Sequence, residues 1–105
     1  MHKIEEVLKE FKEKVQILYG SNLIRILLYG SWARNDAGNH SDINVTVILK
    51  EVTTPGKEID RMIDIITEIN MKYDVLLSVY PISETMYNTV KSPLILNIKK
   101  EAITI

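Results

Sequence analysis

The sequence has no cysteine and almost no net charge, and both absences narrow the range of functions. Without cysteine the chain forms no disulfide, binds no zinc through thiolates and uses no cysteine nucleophile. Thirteen basic residues against fourteen acidic ones give a formal net charge of -1. Because there is no overall basic field, we do not expect long DNA or RNA to be the main partner.

The chain also lacks a long hydrophobic run. No stretch reaches the roughly 18 apolar residues of a membrane-spanning helix, and the first residues, MHKIEE, lack the apolar core of a signal peptide. The sequence therefore predicts a cytoplasmic protein that has no membrane partner. With 105 residues, of which 46% are hydrophobic and 26% charged, it predicts a single globular domain over residues 1–105.

Helical and strand-like patterns alternate along the chain, which predicts an α+β fold: an α/β sandwich whose helices pack on a small mixed sheet. The predicted helices cover residues 3–18, 57–71, 83–90 and a final segment that begins at Ser92 and Pro93. The predicted strands cover residues 23–29, 42–49 and 73–80. Pro81 is expected to close the third strand, because proline donates no ladder hydrogen bond. In the final helix we expect Leu94, Ile95 and Ile98 to be buried.

The most informative stretch follows the first predicted strand, at Gly30 and Ser31. Glycine lets the backbone turn sharply and approach a ligand closely. Ser31 can cap a short following helix, whose free N–H groups would face an anion such as phosphate. Arg34 lies one turn further along and can bind a phosphate oxygen. These residues predict a phosphate-binding turn.

A polar face on the second predicted strand adds to this turn. Asp42, Asn44 and Thr46 are spaced two apart, so that their side chains share one face of the strand. This face is expected to point at whatever the turn holds. The aromatic residues beside the turn, Tyr29 and Trp32, either stack on a base or pack beneath the turn.

These residues together resemble the signature of the minimal nucleotidyltransferases of the DNA polymerase β superfamily. The matching residues are Gly-Ser-x-Ala-Arg at 30–34 and, after a polar gap, Ser-Asp-x-Asn at 41–44. The resemblance implies a polymerase β-like fold in which Gly30, Ser31 and Arg34 hold a nucleoside triphosphate, expected to be ATP. It also implies a catalytic metal set, Asp42, Asn44 and Asp74, that holds two Mg²⁺ ions.

Asn44 is a departure from the family, which has an aspartate at this position. A neutral amide offers one carbonyl oxygen where a carboxylate offers two, so Asn44 can coordinate one ion but bridges two poorly. We therefore expect weaker binding of the second Mg²⁺ and reduced or lost turnover. The loop residue His40 lies near this chemistry in the sequence, but a lone loop histidine is more often a surface residue.

Several functions stay open at this point. In the first, the chain transfers a nucleoside monophosphate, expected to be AMP, to a hydroxyl on a partner protein that supplies the acceptor surface. The resemblance implies a HEPN-type ribonuclease toxin as this partner, neutralised by the chain as an antitoxin, and homo- or hetero-oligomers are both compatible with this. In the second, Asn44 marks a catalytically impaired nucleotide- or toxin-binding module that inhibits by contact. A third, transfer to a small molecule such as an aminoglycoside, would need a dimer to build the pocket.

Overall fold

The computed structural model describes residues 2–38 and 41–105 and confirms the predicted α+β architecture. The helices are α1 (His2–Tyr19), α2 (Pro55–Tyr73), α3 (Glu84–Thr89) and α4 (Pro93–Glu101). The strands are β1 (Leu23–Tyr29), β2 (Ile43–Leu49), β3 (Leu77–Ser83) and β4 (Ile103–Thr104). A single 3-10 turn, Gly20–Asn22, connects α1 to β1.

The four strands form one mixed sheet in the order β3-β2-β1-β4. β1 runs antiparallel to both β2 and β4, whereas β2 and β3 run parallel. Parallel neighbours need a crossover connection, and α2 supplies it between β2 and β3. β2 therefore lies inside the sheet, and all but one of its residues are buried.

Helices cover both faces of the sheet. On one face a larger core includes Phe11 of α1, Val45 of β2 and Met62 of α2, none of which is exposed to solvent. On the other face, beneath α3 and α4, a smaller core consists of Leu27, Ile48, Ile82, Tyr87, Ile95 and Ile98. Because side chains alternate along β2, Asn44 lies on the same face as Ile48, the face that α3 and α4 cover in part.

Serine and threonine side chains begin three of the helices. The hydroxyl oxygen of Thr54 accepts from the Lys57 N–H, that of Ser83 from Met86, and that of Ser92 from Ile95. Each bond satisfies a backbone donor that the first helical turn leaves without a partner. Within the described parts of the chain, none of the helices is both long and apolar enough to cross a lipid bilayer.

The predicted third strand, residues 73–80, was wrong at both ends. α2 continues to Tyr73, and β3 begins only at Leu77. Asp74 closes α2 in the left-handed region, with φ 52° and ψ 52°, and its N–H donates to the carbonyl of Asn70. Asp74 belongs to a helix end, therefore, and not to a strand. Aspartate tolerates this conformation better than most residues, which is why the helix can end here without glycine.

Other boundary predictions also need correction. Pro81 lies inside β3 and does not close it. The sheet tolerates the proline because β3 is an edge strand. Leu94 is 40% exposed, although Ile95 and Ile98 are buried as predicted. The short strand β4 was not predicted.

Candidate active site

The glycine-serine turn begins where β1 ends. Gly30 has φ +80°, and its carbonyl accepts the N–H groups of Ala33 and Arg34 at 3.0 and 3.1 Å. Asn35, with φ 63°, ends the segment after this one turn. The prediction that Ser31 caps a short helix was therefore wrong, because the chain forms an isolated turn here.

Asn44 lies directly against this turn. A Cβ atom placed on Gly30 would stand 2.7 Å from Nδ2 of Asn44, so that only glycine fits without displacing the amide. Asn44 pairs with Tyr29 across β1 and β2, and with Ser78 across β2 and β3. The β3 residue beside Asn44 is thus Ser78, and Asp74 is not its strand neighbour.

Asp42 and Asp74 nevertheless line the same cavity. Both residues are exposed, and both line an open cavity of about 290 Å³ together with Trp32 and Leu76. The indole N–H of Trp32 donates to the carbonyl of Ser41 at 3.1 Å, which ties the turn to the residue preceding Asp42. The residue before β2 and the residue after α2 are thus both on the wall of this cavity.

The aromatic residues beside the turn both pack into the protein. Trp32 contacts the larger core and Tyr29 the smaller one. Burial, together with the nearby Tyr80, raises the pKa of the Tyr29 phenol. This packing favours a role for these side chains in packing beneath the turn over a role in stacking on a base. His40 lies outside the described residues.

Arg34 has carboxylate partners that the sequence did not predict. Its Nη1 donates to both oxygens of Glu101, at 3.2 and 3.0 Å, and its Nε donates to Asp36 at 3.2 Å. Glu101 Oε1 also accepts the Gly30 N–H at 3.0 Å. The hydrogen bond from Arg34 holds the pKa of the Glu101 carboxyl below its ordinary value, and the bond from Gly30 acts in the same direction.

Comparison with known proteins identifies the family. A family model described as "Polymerase beta, Nucleotidyltransferase" matches residues 2–105. The chain belongs to the polymerase β nucleotidyltransferase family. Among its relatives, "Putative protein adenylyltransferase MJ0141" of Methanocaldococcus jannaschii is 39% identical over 75 residues, which make up 71% of this chain and 75% of the relative.

Solved structures share the nucleotidyltransferase fold. A toxin-antitoxin structure with AMP-PNP matches with a TM-score of 0.61 at 14% identity, over 98% of this chain and 69% of the other. The structure of a "putative minimal nucleotidyltransferase" matches with a TM-score of 0.60 at 18% identity, over 96% and 94% of the two chains. At these identities the similarity establishes the fold alone, and the match to the family model confirms the recognition of a nucleotidyltransferase of the polymerase β superfamily.

The carboxylates that line the cavity are of the type that binds Mg²⁺ together with a phosphate substrate. Asp42 and Asp74 offer hard oxygen ligands in one open cavity, and Mg²⁺ usually takes one or two carboxylates together with water and phosphate oxygens. Over residues 2–38 and 41–105, no group of three or more histidine, cysteine, aspartate or glutamate side chains is placed to hold a metal. Asp42 and Asp74 are thus two candidate metal ligands on one cavity, and Asn44 is not among the residues that line it.

Proposed function

We propose that this nucleotidyltransferase transfers AMP from ATP to a hydroxyl group on a partner protein. The observation that carries the proposal is the cavity in which Asp42 and Asp74 lie beside Trp32 of the glycine-serine turn. The name of the relative, a protein adenylyltransferase, supports the same chemistry. In this reaction the acceptor oxygen forms a bond to the α-phosphorus, the bond to pyrophosphate breaks, and the hydroxyl proton is released.

The side chains of the site have separate roles in this proposal. Gly30, Ser31 and Arg34 bind the triphosphate, and Asp42 and Asp74 hold Mg²⁺, with Asn44 as a weaker ligand. When bound, Mg²⁺ neutralises phosphate charge and favours deprotonation of the attacking hydroxyl. Trp32 keeps the turn and Asp42 in a fixed relation through its hydrogen bond to Ser41.

We further propose that the partner is a HEPN-type ribonuclease toxin and that the chain is its antitoxin in the cytoplasm. The support is the shared fold with one member of a toxin-antitoxin pair that was solved with AMP-PNP. A partner-supplied acceptor also suits the open cavity, which leaves both aspartates exposed. The acceptor hydroxyl in this proposal is that of a tyrosine on the toxin.

A second function is favoured by Asn44, which lies against Gly30 where the family has an aspartate. A single neutral oxygen there weakens the binding of a second Mg²⁺. In this alternative the chain binds nucleotide or toxin and inhibits the toxin by contact, without transfer.

Label transfer from ATP that carries its label on the α-phosphate tests the first function. Purified toxin and Mg²⁺ are incubated with the unchanged chain or with one of two variants, Asn44→Asp and Asp42→Asn. We expect labelled toxin with the unchanged chain, more labelled toxin with Asn44→Asp and none with Asp42→Asn. Asp60→Asn removes an exposed carboxylate of α2 and serves as the control. If the unchanged chain does not label the toxin, the transfer proposal is wrong. Labelling by Asn44→Asp alone would then show that Asn44 abolishes transfer.

A neutralisation assay separates transfer from contact inhibition. Asp42→Asn and Asp74→Asn are each tested for suppression of the toxin's ribonuclease activity. Asparagine is the substitute at position 74 because it tolerates the left-handed backbone that alanine would strain. Neutralisation that needs both aspartates supports transfer, whereas full neutralisation by both variants supports inhibition by contact.

A further inference from the structure

A carboxylate from the end of α4 lies against the turn that the proposed function assigns to the triphosphate. Oε1 of Glu101 accepts the Gly30 N–H at 3.0 Å and is 3.2 Å from Nη1 of Arg34. Oε2 accepts from the same Nη1 at 3.0 Å. Glu101 therefore contacts two of the three residues in the proposed phosphate-binding group.

The contact with Gly30 continues the pairing of β1 with β4. The carbonyl of Ile26 accepts the N–H of Ile105 at 3.0 Å, and Leu28 pairs with Ile103. Because the backbone groups of alternate residues point to the same side of a strand, the Gly30 N–H also points to the β4 side, away from β2. The Glu101 side chain thus supplies the next acceptor along the β4 side of β1, and it holds Gly30, the residue at which the turn begins.

The contact with Arg34 fixes a long side chain that would otherwise sample many rotamers. Asp36 binds Nε and Glu101 binds Nη1, so that one edge and one end of the guanidinium are held. No acceptor for Nη2 occurs in the part of the chain that the structure describes, which leaves donors for a ligand. Arg34 remains 48% exposed and accessible.

We propose that Glu101 is a positioning residue of the nucleotide site, which holds the Gly30 turn and the Arg34 guanidinium in the arrangement that receives the triphosphate. This inference rests on the proposed function, because it assumes that the turn binds a nucleotide. Glu101 acts through Arg34 and Gly30 and does not itself contact the phosphates. Its carboxylate instead restricts the rotamers of Arg34 before the nucleotide binds, so that Arg34 loses less conformational entropy on binding.

A double-mutant cycle with Mg²⁺ and AMP-PNP, measured by calorimetry, tests this role. Immobilising one rotamer-rich side chain weakens binding by roughly three- to tenfold, so we expect an increase of that size in Kd for Glu101→Ala. In an Arg34→Ala background, Glu101→Ala should change Kd less, because only the contact with Gly30 is then left for Glu101 to make. Equal losses in both backgrounds would show a general structural role and overturn the inference.

Two further variants make the result specific. Glu101→Gln keeps an acceptor for the Gly30 N–H, so we expect it to retain more affinity than Glu101→Ala. Glu13→Ala, which removes an exposed carboxylate of α1, should leave Kd unchanged. Thermal unfolding followed by circular dichroism shows whether each variant folds, and the amide NMR signal of Gly30 reports directly on loss of its acceptor.

The outcomes distinguish this inference from the proposed function. If the unchanged chain does not bind the Mg²⁺–AMP-PNP complex, both the proposed function and this inference are wrong. If it binds and Arg34→Ala weakens binding while Glu101→Ala does not, the nucleotide site stands and the positioning role is wrong. If Glu101→Ala tightens binding, the carboxylate competes with phosphate for Arg34, and the inference is likewise overturned.

Discussion

Substitution of Gly30 by alanine tests the contact between the turn and Asn44. Gly30 has φ +80°, and a new Cβ would stand 2.7 Å from Nδ2 of Asn44. Two costs are therefore expected, one from the backbone and one from the displaced amide. Gly20 offers a matched control, because it has φ +54° but nothing within 4 Å of an added Cβ.

The magnitudes follow from these two contacts. A left-handed backbone costs a residue with a Cβ about 1–2 kcal/mol, which is the loss of unfolding free energy that we expect for Gly20→Ala. Moving Asn44 from its preferred rotamer adds about 0.5–1.5 kcal/mol. Gly30→Ala should therefore lose about 1.5–3.5 kcal/mol in total.

Urea unfolding followed by circular dichroism at neutral pH measures both variants. A third, Gly30→Ala combined with Asn44→Ala, should recover the part of the loss that comes from the clash, because the amide is gone. The cycle isolates this coupling, for which we expect about 1 kcal/mol. If Gly30→Ala loses no more than Gly20→Ala, and Asn44→Ala recovers nothing, the amide does not lie against the turn.

Further predictions concern hydrogen bonds elsewhere in the fold. The hydrogen bond from Lys72 contributes most to lowering the pKa of Glu10 from 4.5 to about 2. The free energy of unfolding that this bond contributes is present above pH 4.5 and is lost as the pH falls toward 2. The loss of unfolding free energy caused by Glu10→Gln, measured with urea, should therefore become smaller over that range. A loss that does not change with pH would contradict this. The buried Tyr19 hydroxyl donates to the Glu58 carboxylate at 2.8 Å, and Tyr19→Phe should cost about 1–3 kcal/mol in the same assay. Ser92→Ala, which removes the cap of α4, should cost about 1 kcal/mol by thermal unfolding.

Local signals in the sequence predicted much of this fold. Gly30 and Ser31 marked the end of β1, and the pairs Thr54-Pro55 and Ser92-Pro93 marked the starts of two helices. Each signal works through backbone conformation or a hydrogen bond within a few residues. Such features need no knowledge of the rest of the chain.

The errors lie where distant segments decide the structure. A run of β-forming residues made Tyr73 look like the start of a strand, yet packing of α2 on the core extends the helix and leaves Asp74 as its end. Pro81 signals a stop unless the strand is known to be at an edge. Glu101 contacts Gly30 across 71 positions of sequence, and no local pattern indicates that pairing.

The pairing of β1 with β4 has a consequence for how the chain is made. Synthesis begins at the amino terminus, so β1 and β2 can meet long before Ile103 leaves the ribosome. Until then, the edge of β1 that later binds β4 is open, and open strand edges can pair with other chains. A chain whose synthesis stops before residue 101 would keep this open strand edge and would lack Glu101. One missing segment would therefore affect both the solubility of the protein and the glycine-serine turn.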